Sequence, residues 1–306
     1  MFKLLKLISK ILSCLILAVL AIFSFVVVGL NLAKFMIYSD YYGMKTNYCV
    51  NPGLNDGAVQ QGLAVDEERD IVLTTTYMID KSPSRIYVTN SKNEDRYVEL
   101  YKNDKKFTGH VGGISLSGDY AYISNSDTIY KISLNDILTK DAIDIGDGIK
   151  VNNQASFTYA DDNYLYVGEF NYLDKYICEN PIGDYKAICT KYSLDDLTKP
   201  VAIYSIRDKV QGFCVTDDGD IVLSTSWGVS SSEFYIYNSE NIKQSGTYQD
   251  VPLYVLDKED KLIKGPAMSE DLSYSNGKVY VMFESACNKY IFGKLFFANK
   301  VVGLEI

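Results

Sequence analysis

One short pattern recurs along this chain, and it restricts the fold more than any other feature. Gln61-Gly-Leu-Ala-Val65 is followed by Asp70-Ile-Val-Leu-Thr-Thr75, and Gln211-Gly-Phe-Cys-Val215 is followed at identical offsets by Asp220-Ile-Val-Leu-Ser-Thr225. Gln154-Ala-Ser-Phe-Thr158 with Asn163-Tyr-Leu-Tyr-Val167, and His110-Val-Gly-Gly-Ile114 with Asp119-Tyr-Ala-Tyr-Ile123, supply two further copies. Ser269-Glu-Asp-Leu-Ser273 with Lys278-Val-Tyr-Val-Met282 is a fifth and weaker one. The copies recur every ~40–60 residues, the period of four-stranded propeller blades carrying loop insertions.

Each unit reads as a short apolar strand, a tight turn and a second strand ending in small polar residues. The turns are Asp217-Asp-Gly219, Asp161-Asp-Asn163, Ser117-Gly-Asp119 and Ser275-Asn-Gly277, all hairpin chemistry. Third and fourth strands follow at Arg85–Thr89 and Arg96–Leu100 in the first unit, and at Glu233–Tyr237 and Pro252–Leu256 in the fourth. Four strands per unit, radially repeated, predict an all-β five-bladed propeller over residues 58–306, with six blades as the alternative. Residues 35–60 are too few for another blade, and Leu134–Leu138 and Leu194–Leu197 read as turns between strands.

Ahead of the repeats, Ile11 to Ala33 contains no charged residue. As a helix rising ~1.5 Å per residue, that stretch covers roughly 34 Å, enough for a ~30 Å hydrocarbon core. Lys3, Lys6 and Lys10 precede it, whereas Lys34, Asp40 and Lys45 follow it. The positive-inside bias therefore predicts residues 1–10 in the cytoplasm, a signal-anchor helix at 11–33, a juxtamembrane linker at 34–57 and an extracytoplasmic domain. A long cleaved signal peptide is the alternative, and it exports the same domain. All 39 acidic residues but only 26 of the 30 basic ones lie beyond residue 34, leaving that part at −13 by formal count. A field of that sign repels nucleic acid and favours neutral or cationic partners.

Over residues 58–306 the chain resembles exported or membrane-anchored bacterial β-propellers of the broad SMP-30/NHL/YncE-like kind. The repeat itself carries the resemblance, with Gly-His-Val-Gly-Gly and Phe-Glu-Ser-Ala as its most individual strings. Such propellers include lactonases, esterases, sugar-ring-opening enzymes and pure binding modules, so the resemblance implies an architecture rather than an activity.

The repeat places two rings of residues on one face of such a propeller. Inner-strand starts give Gln61, His110, Gln154, Gln211 and Ser269 with Glu270. Second-strand ends give Thr76 with Tyr77, Asn125, Glu169, Ser226 with Trp227, and Glu284 with Ser285. Amides, an imidazole, carboxylates and the single Trp at equivalent positions predict a polar central funnel, the usual ligand site of such folds. The predicted binding set is Gln61, Tyr77, His110, Asn125, Gln154, Gln211, Trp227 and Glu270, taking a small molecule, glycan or protein.

If the funnel catalyses, Glu169, Glu270 and Glu284 with His110 are the candidates, since sugar hydrolysis needs two carboxyls across the scissile bond. A hydrolase or lyase acting on sugars or lactones is thus the first alternative to binding alone, and a structural part in an envelope assembly the second. Ser-His-Asp chemistry has thin support, because His110 is the single histidine and no Gly-x-Ser-x-Gly elbow surrounds Ser115 or Ser117. No zinc-ligand spacing is present, and no cofactor is expected. Ca²⁺ is the one conceivable ion, and Asp144-Ile-Gly-Asp-Gly148 reads better as a turn than as its loop. In SMP-30-like enzymes Glu, Asn and Asp hold the metal at inner-strand positions, where this chain has mostly Gln. Cys14 lies in the apolar span, and the five remaining cysteines include Cys178 and Cys189, predicted to close a short loop as a disulfide. Cys214, in an alternating apolar run, reads as a buried thiol.

Overall fold

The computed structural model describes residues 2–178, 182 and 184–306. Five sheets follow one another in chain order, and each innermost strand packs on the next until the fifth returns to the first. The innermost strands are Ala58–Asp66, Gly113–Ser117, Phe157–Ala160, Val210–Val215 and Ser269–Ser275. Each pairs antiparallel with the strand after it, through the turns expected from sequence. Gly219 (φ 82°) and the Asn276-Gly277 pair (φ 49° and 75°) adopt the left-handed backbone that those turns require.

Ring closure joins the two ends of the domain. Lys45–Val50, within the stretch read from sequence as a linker, pairs antiparallel with Lys300–Leu304 and forms the outermost strand of blade 5. Just before it, helix α2 (Ser39–Met44) buries Tyr41 between Phe234 of blade 4 and Phe283 of blade 5, with ring centroids 6.3 and 6.0 Å away. The closing strand is separated from its partner by almost the whole chain, which hides it from any local pattern.

Two edge assignments differ from the sequence reading. Lys261–Gly265 is the outer strand of blade 4, whereas Val251–Val255 crosses over to run parallel with Asp196–Ile206 of blade 3. There Leu253 packs against Ile188 and Ile203, while Ile263 of Lys261–Gly265 fills the corresponding place at the edge of blade 4. Leu134–Thr139 is a helix, α3, with Leu134 and Ile137 buried, and it leads to Ala142–Asp144, which adds in parallel to the edge of blade 1.

An innermost strand exposes one row of backbone groups toward the axis, where no strand pairs with it. Blade 5 satisfies part of that row in blade 1 with side chains at alternate positions. Asp271 Oδ2 accepts from Leu63 N–H at 3.2 Å, Ser273 Oγ from Val65 N–H at 2.9 Å and Ser275 Oγ from Glu67 N–H at 3.0 Å. The strands approach closely because glycine stands at the axis. A Cβ on Gly62, Gly113 or Gly212 would lie 2.4–2.5 Å from backbone nitrogens of Ile114, Thr158 or Leu272 in the following blade.

The apolar N-terminal segment forms helix α1 (Phe2–Ile37), long and apolar enough to cross a membrane. It is fastened to the propeller rather than trailing from it. Asn31 Nδ2 donates to the carbonyls of Lys294 and Leu295 at 3.0 and 3.3 Å, its Oδ1 accepts from Phe297 N–H, and Lys34 Nζ donates to Phe297 O at 2.7 Å.

Candidate functional site

The residues at the axis also reveal a register correction. Gly62, Gly113 and Gly212 occupy equivalent places, each against the backbone of the next blade, and Asp271 stands at the same level in blade 5. The residues before them are Gln61, Gly112, Gln211 and Glu270, and Phe157, which Gly113 faces, makes Ser156 the blade 3 equivalent. His110 and Gln154, aligned with Gln61 from sequence, therefore stand two residues early, in the segments that lead into their strands. The apolar pattern alone could not show this, because a shift of two residues preserves strand alternation.

Both sets nevertheless line one central cavity of about 1040 Å³. Gln61, His110, Gln154, Gln211 and Glu270 border it, as do Tyr77, Asn125, Trp227 and Glu284 from the second-strand ends. Glu169 does not. Its carboxylate lies buried, accepting from Gln154 N–H at 3.2 Å and Ile188 N–H at 3.0 Å, so it braces the blade 3 wall instead of facing a ligand.

Local irregularities aim the side chains. The pairing of first and second strands slips between Gln60 and Leu63, between Val210 and Gly212, and between Ser269 and Leu272. These bulges contain Gln61, Gln211 and Glu270, the positions that bulges in sheets are suited to redirect. In blade 2, Val111 is held at φ 49°, a strained conformation for a β-branched residue. Asn125 Oδ1 accepts its N–H at 3.2 Å, and its carbonyl accepts from Thr75 Oγ1 at 2.7 Å, which fixes His110 beside the cavity.

The cavity has two chemically distinct sides. On one, blades 3 and 4 bring aromatic rings together: Trp227 stacks on Tyr172 at 4.2 Å, meets Tyr176 edge-on at 5.9 Å and lies 6.0 Å from Phe170. Lys175 Nζ sits 4.9 Å from the Trp227 ring. The insertion that carries Tyr172, Lys175 and Tyr176 gives no signal in the repeat.

On the other side, Glu270 and Glu284 share a hydrogen bond. Burial, and the neighbouring Glu284, push Glu270 well above the usual carboxylate range. Burial raises Glu284 to about 7, opposed by hydrogen bonds from Glu270, Tyr290 and Gln61 and by the charge of Lys289. The pair holds a proton at neutral pH, because two ionised carboxylates in contact repel in a poorly solvated site. Tyr290 Oη lies 3.4 Å from Tyr77 Oη, Lys289 donates to Tyr77 Oη, and Tyr77 stacks on His110 at 4.8 Å. Enclosure by the cavity wall and the nearby Lys289 lower the His110 pKa, favouring the neutral imidazole. Tyr290 and Lys289 follow the last repeat, so sequence reasoning did not reach them.

Cys178 and Cys189, predicted to be joined, are free thiols, as are the other four cysteines. Cys189 lies inside the third strand of blade 3, and Cys178 is held by a bond from its N–H to Asn171 Oδ1 at 3.0 Å. Both thiols flank the Glu169 carboxylate, and burial first, then that charge, raises them, Cys178 to about 12. Cys214 is fully buried, as expected. Asp144 spends its carboxylate on the N–H groups of Gly146 and Asp104, the role of a turn. Among the described residues, no group of three or more His, Cys, Asp and Glu is placed to hold a metal ion.

The chain matches no protein family model and no curated protein in sequence. Solved structures with a similar fold include hydrazine synthase of Kuenenia stuttgartiensis, at 8% identity and TM-score 0.41, covering 74% of this chain and 55% of that one. This chain thus spans about half the length of that one. The PQQ-bound aldose sugar dehydrogenase of Streptomyces coelicolor matches at 14% identity and TM-score 0.39, covering 78% and 76%. A protein of Thermus thermophilus assigned as an oxidoreductase (glucose dehydrogenase) matches at 12% identity and TM-score 0.43, covering 85% and 99%. Identities this low say nothing about chemistry, and the propeller assignment rests on strand order and ring closure.

Proposed function

We propose that this protein is a membrane-anchored binding propeller, its domain on the extracytoplasmic side and its funnel taking a neutral, polyhydroxylated ligand of carbohydrate type. One observation carries the reading: a single cavity combines an aromatic wall around Trp227 with amides at Gln61, Asn125, Gln154 and Gln211. Aromatic rings offer apolar area to the C–H faces of a sugar, and amides both donate to and accept from hydroxyls. The volume suits a ligand of a few sugar rings, at the upper end of the range of small-molecule sites. The orientation follows from Lys3, Lys6 and Lys10 ahead of the span.

Trp227 is the single Trp of the chain and borders the cavity, so its emission is a native reporter. Full-length protein in nanodiscs, titrated with a panel of neutral oligosaccharides, is expected to show saturable emission shifts that Gln211→Ala abolishes. A panel that shifts neither emission nor melting temperature would overturn the assignment.

A second reading, acid–base catalysis, is supported by the Glu270–Glu284 pair. Carboxyls in direct contact are closer than the ~5 Å of retaining glycosidases and the still wider gap of inverting ones. The pair instead suits proton exchange with one bound hydroxyl or water, as in dyads that share a proton. Release of a product from a bound saccharide, lost in Glu284→Gln, would favour catalysis over binding.

A further inference from the structure

Helix α1 does more than tether the domain. One stripe of it, Phe23, Val27, Leu30, Asn31 and Lys34, is partly covered, and a groove between α1 and the propeller is bordered by Val19, Phe23 and Val26 with Phe292 and Leu295. Phe292 and Leu295 belong to a single-turn helix, Phe292–Phe296. Val26 lies seven residues inside the Ala33 end of the charge-free stretch. That is a depth of roughly 10 Å along the helix axis. The stretch exceeds a ~30 Å hydrocarbon core by only about 4 Å. Sliding the helix far enough to lift Phe292 clear of the bilayer would draw the Lys10 ammonium into hydrocarbon, which strongly opposes the shift.

The same turn forms the lip of the funnel. Ile291 and Phe292 border the central cavity yet are 64% and 63% exposed, and Val229, from the neighbouring blade 4, is 47% exposed. Lys175 and Lys289 stand at this mouth in a domain that is otherwise strongly acidic. Exposed apolar side chains rimmed by cations are what a lipid surface accepts: the rings enter the acyl boundary and the ammonium groups meet phosphates.

We propose that the lip of the funnel, Val229, Ile291 and Phe292, is seated in the bilayer leaflet on the propeller's side, so that the cavity opens onto the headgroup layer. The occupant of the apolar lip is the membrane that α1 crosses, because Phe292 borders both the α1 groove and the central cavity. This inference rests on α1 being a membrane anchor, and the experiment separates the two.

Full-length protein carrying Trp227→Phe is reconstituted into phosphatidylcholine vesicles, with and without brominated acyl chains. With Phe292→Trp added, brominated lipid is expected to quench emission at least twofold. With Tyr120→Trp added instead, at a hairpin on the face away from the funnel, emission is expected to be unchanged. Emission unchanged by bromination at both positions, with the protein still retained through alkaline carbonate extraction, overturns the seating and leaves the anchor standing. Release of the protein by carbonate overturns both.

Discussion

Glu270 and Glu284 meet in a hydrogen bond at the side of the cavity, and both are poorly solvated. A carboxyl raised on folding takes up a proton, so it favours the folded state most below its unfolded pKa and loses that contribution as pH rises through its folded value. For Glu284 the window runs from about 4.5 to about 7. Stability is therefore expected to fall across this window, apart from other titrations. Glu270→Gln removes one of the two acids while keeping an amide able to donate to Glu284. Relative to wild type it should gain about 1–2 kcal/mol at pH 8 and little or nothing at pH 5. Melting curves between pH 5 and 8.5 check this, and parallel pH profiles would count against a shared proton.

Asp271 ties three blades at the axis through the N–H groups of Leu63, Ile114 and Leu272. Asp271→Ala would leave those donors without their acceptor, a loss of about 3 kcal/mol or more by urea denaturation. Ser273→Ala, which removes one acceptor from Val65 N–H, should cost about 1 kcal/mol.

Gly113→Ala would place a Cβ 2.4 Å from Thr158 N, where the neighbour is backbone and cannot swing aside. It is expected to abolish folded expression. Gly118→Ala, with φ 56° but open space around it, should cost only about 1 kcal/mol. Comparable losses in the two variants would contradict the close approach of blades 2 and 3.

The closing strand predicts where truncation is tolerated. A chain starting at Tyr38 keeps α2 and the outer strand of blade 5, and it is expected to fold with a cooperative melt. A chain starting at Asn51 lacks the partner of Lys300–Leu304 and leaves an unpaired edge beside the vacated Tyr41 site. Aggregation or loss of cooperativity is expected, read by light scattering and calorimetry.

Buried thiols with raised pKa values react slowly, since the thiolate is the nucleophile. In native protein Cys178 and Cys189 should resist alkylation at pH 7.5. After denaturation without reductant, both should be labelled. Mass mapping that finds them joined would instead restore the loop disulfide.

Much of the architecture is legible in the chain. A strand, a tight turn and a second strand form local hairpins, so Gln61-Gly-Leu-Ala-Val65 and its copies announce five blades through contacts a few residues apart. The ring of Gln61, Gln211 and Glu270 is legible for the same reason, because repeated units converge on one axis. The positions of His110 and Gln154 are not, since a shift of two residues keeps the apolar alternation intact. Tertiary structure alone decided what depends on distant partners. Lys45–Val50 became part of blade 5 because the open edge at Lys300–Leu304 needed pairing, and Val251–Val255 joined blade 3, where Leu253 packs on Ile188 and Ile203 from a distant stretch of the chain. Glu270 and Glu284, separated in sequence by a hairpin, became one proton-sharing pair because the bulge and the short turn after Phe283 bring their side chains into the same poorly solvated space.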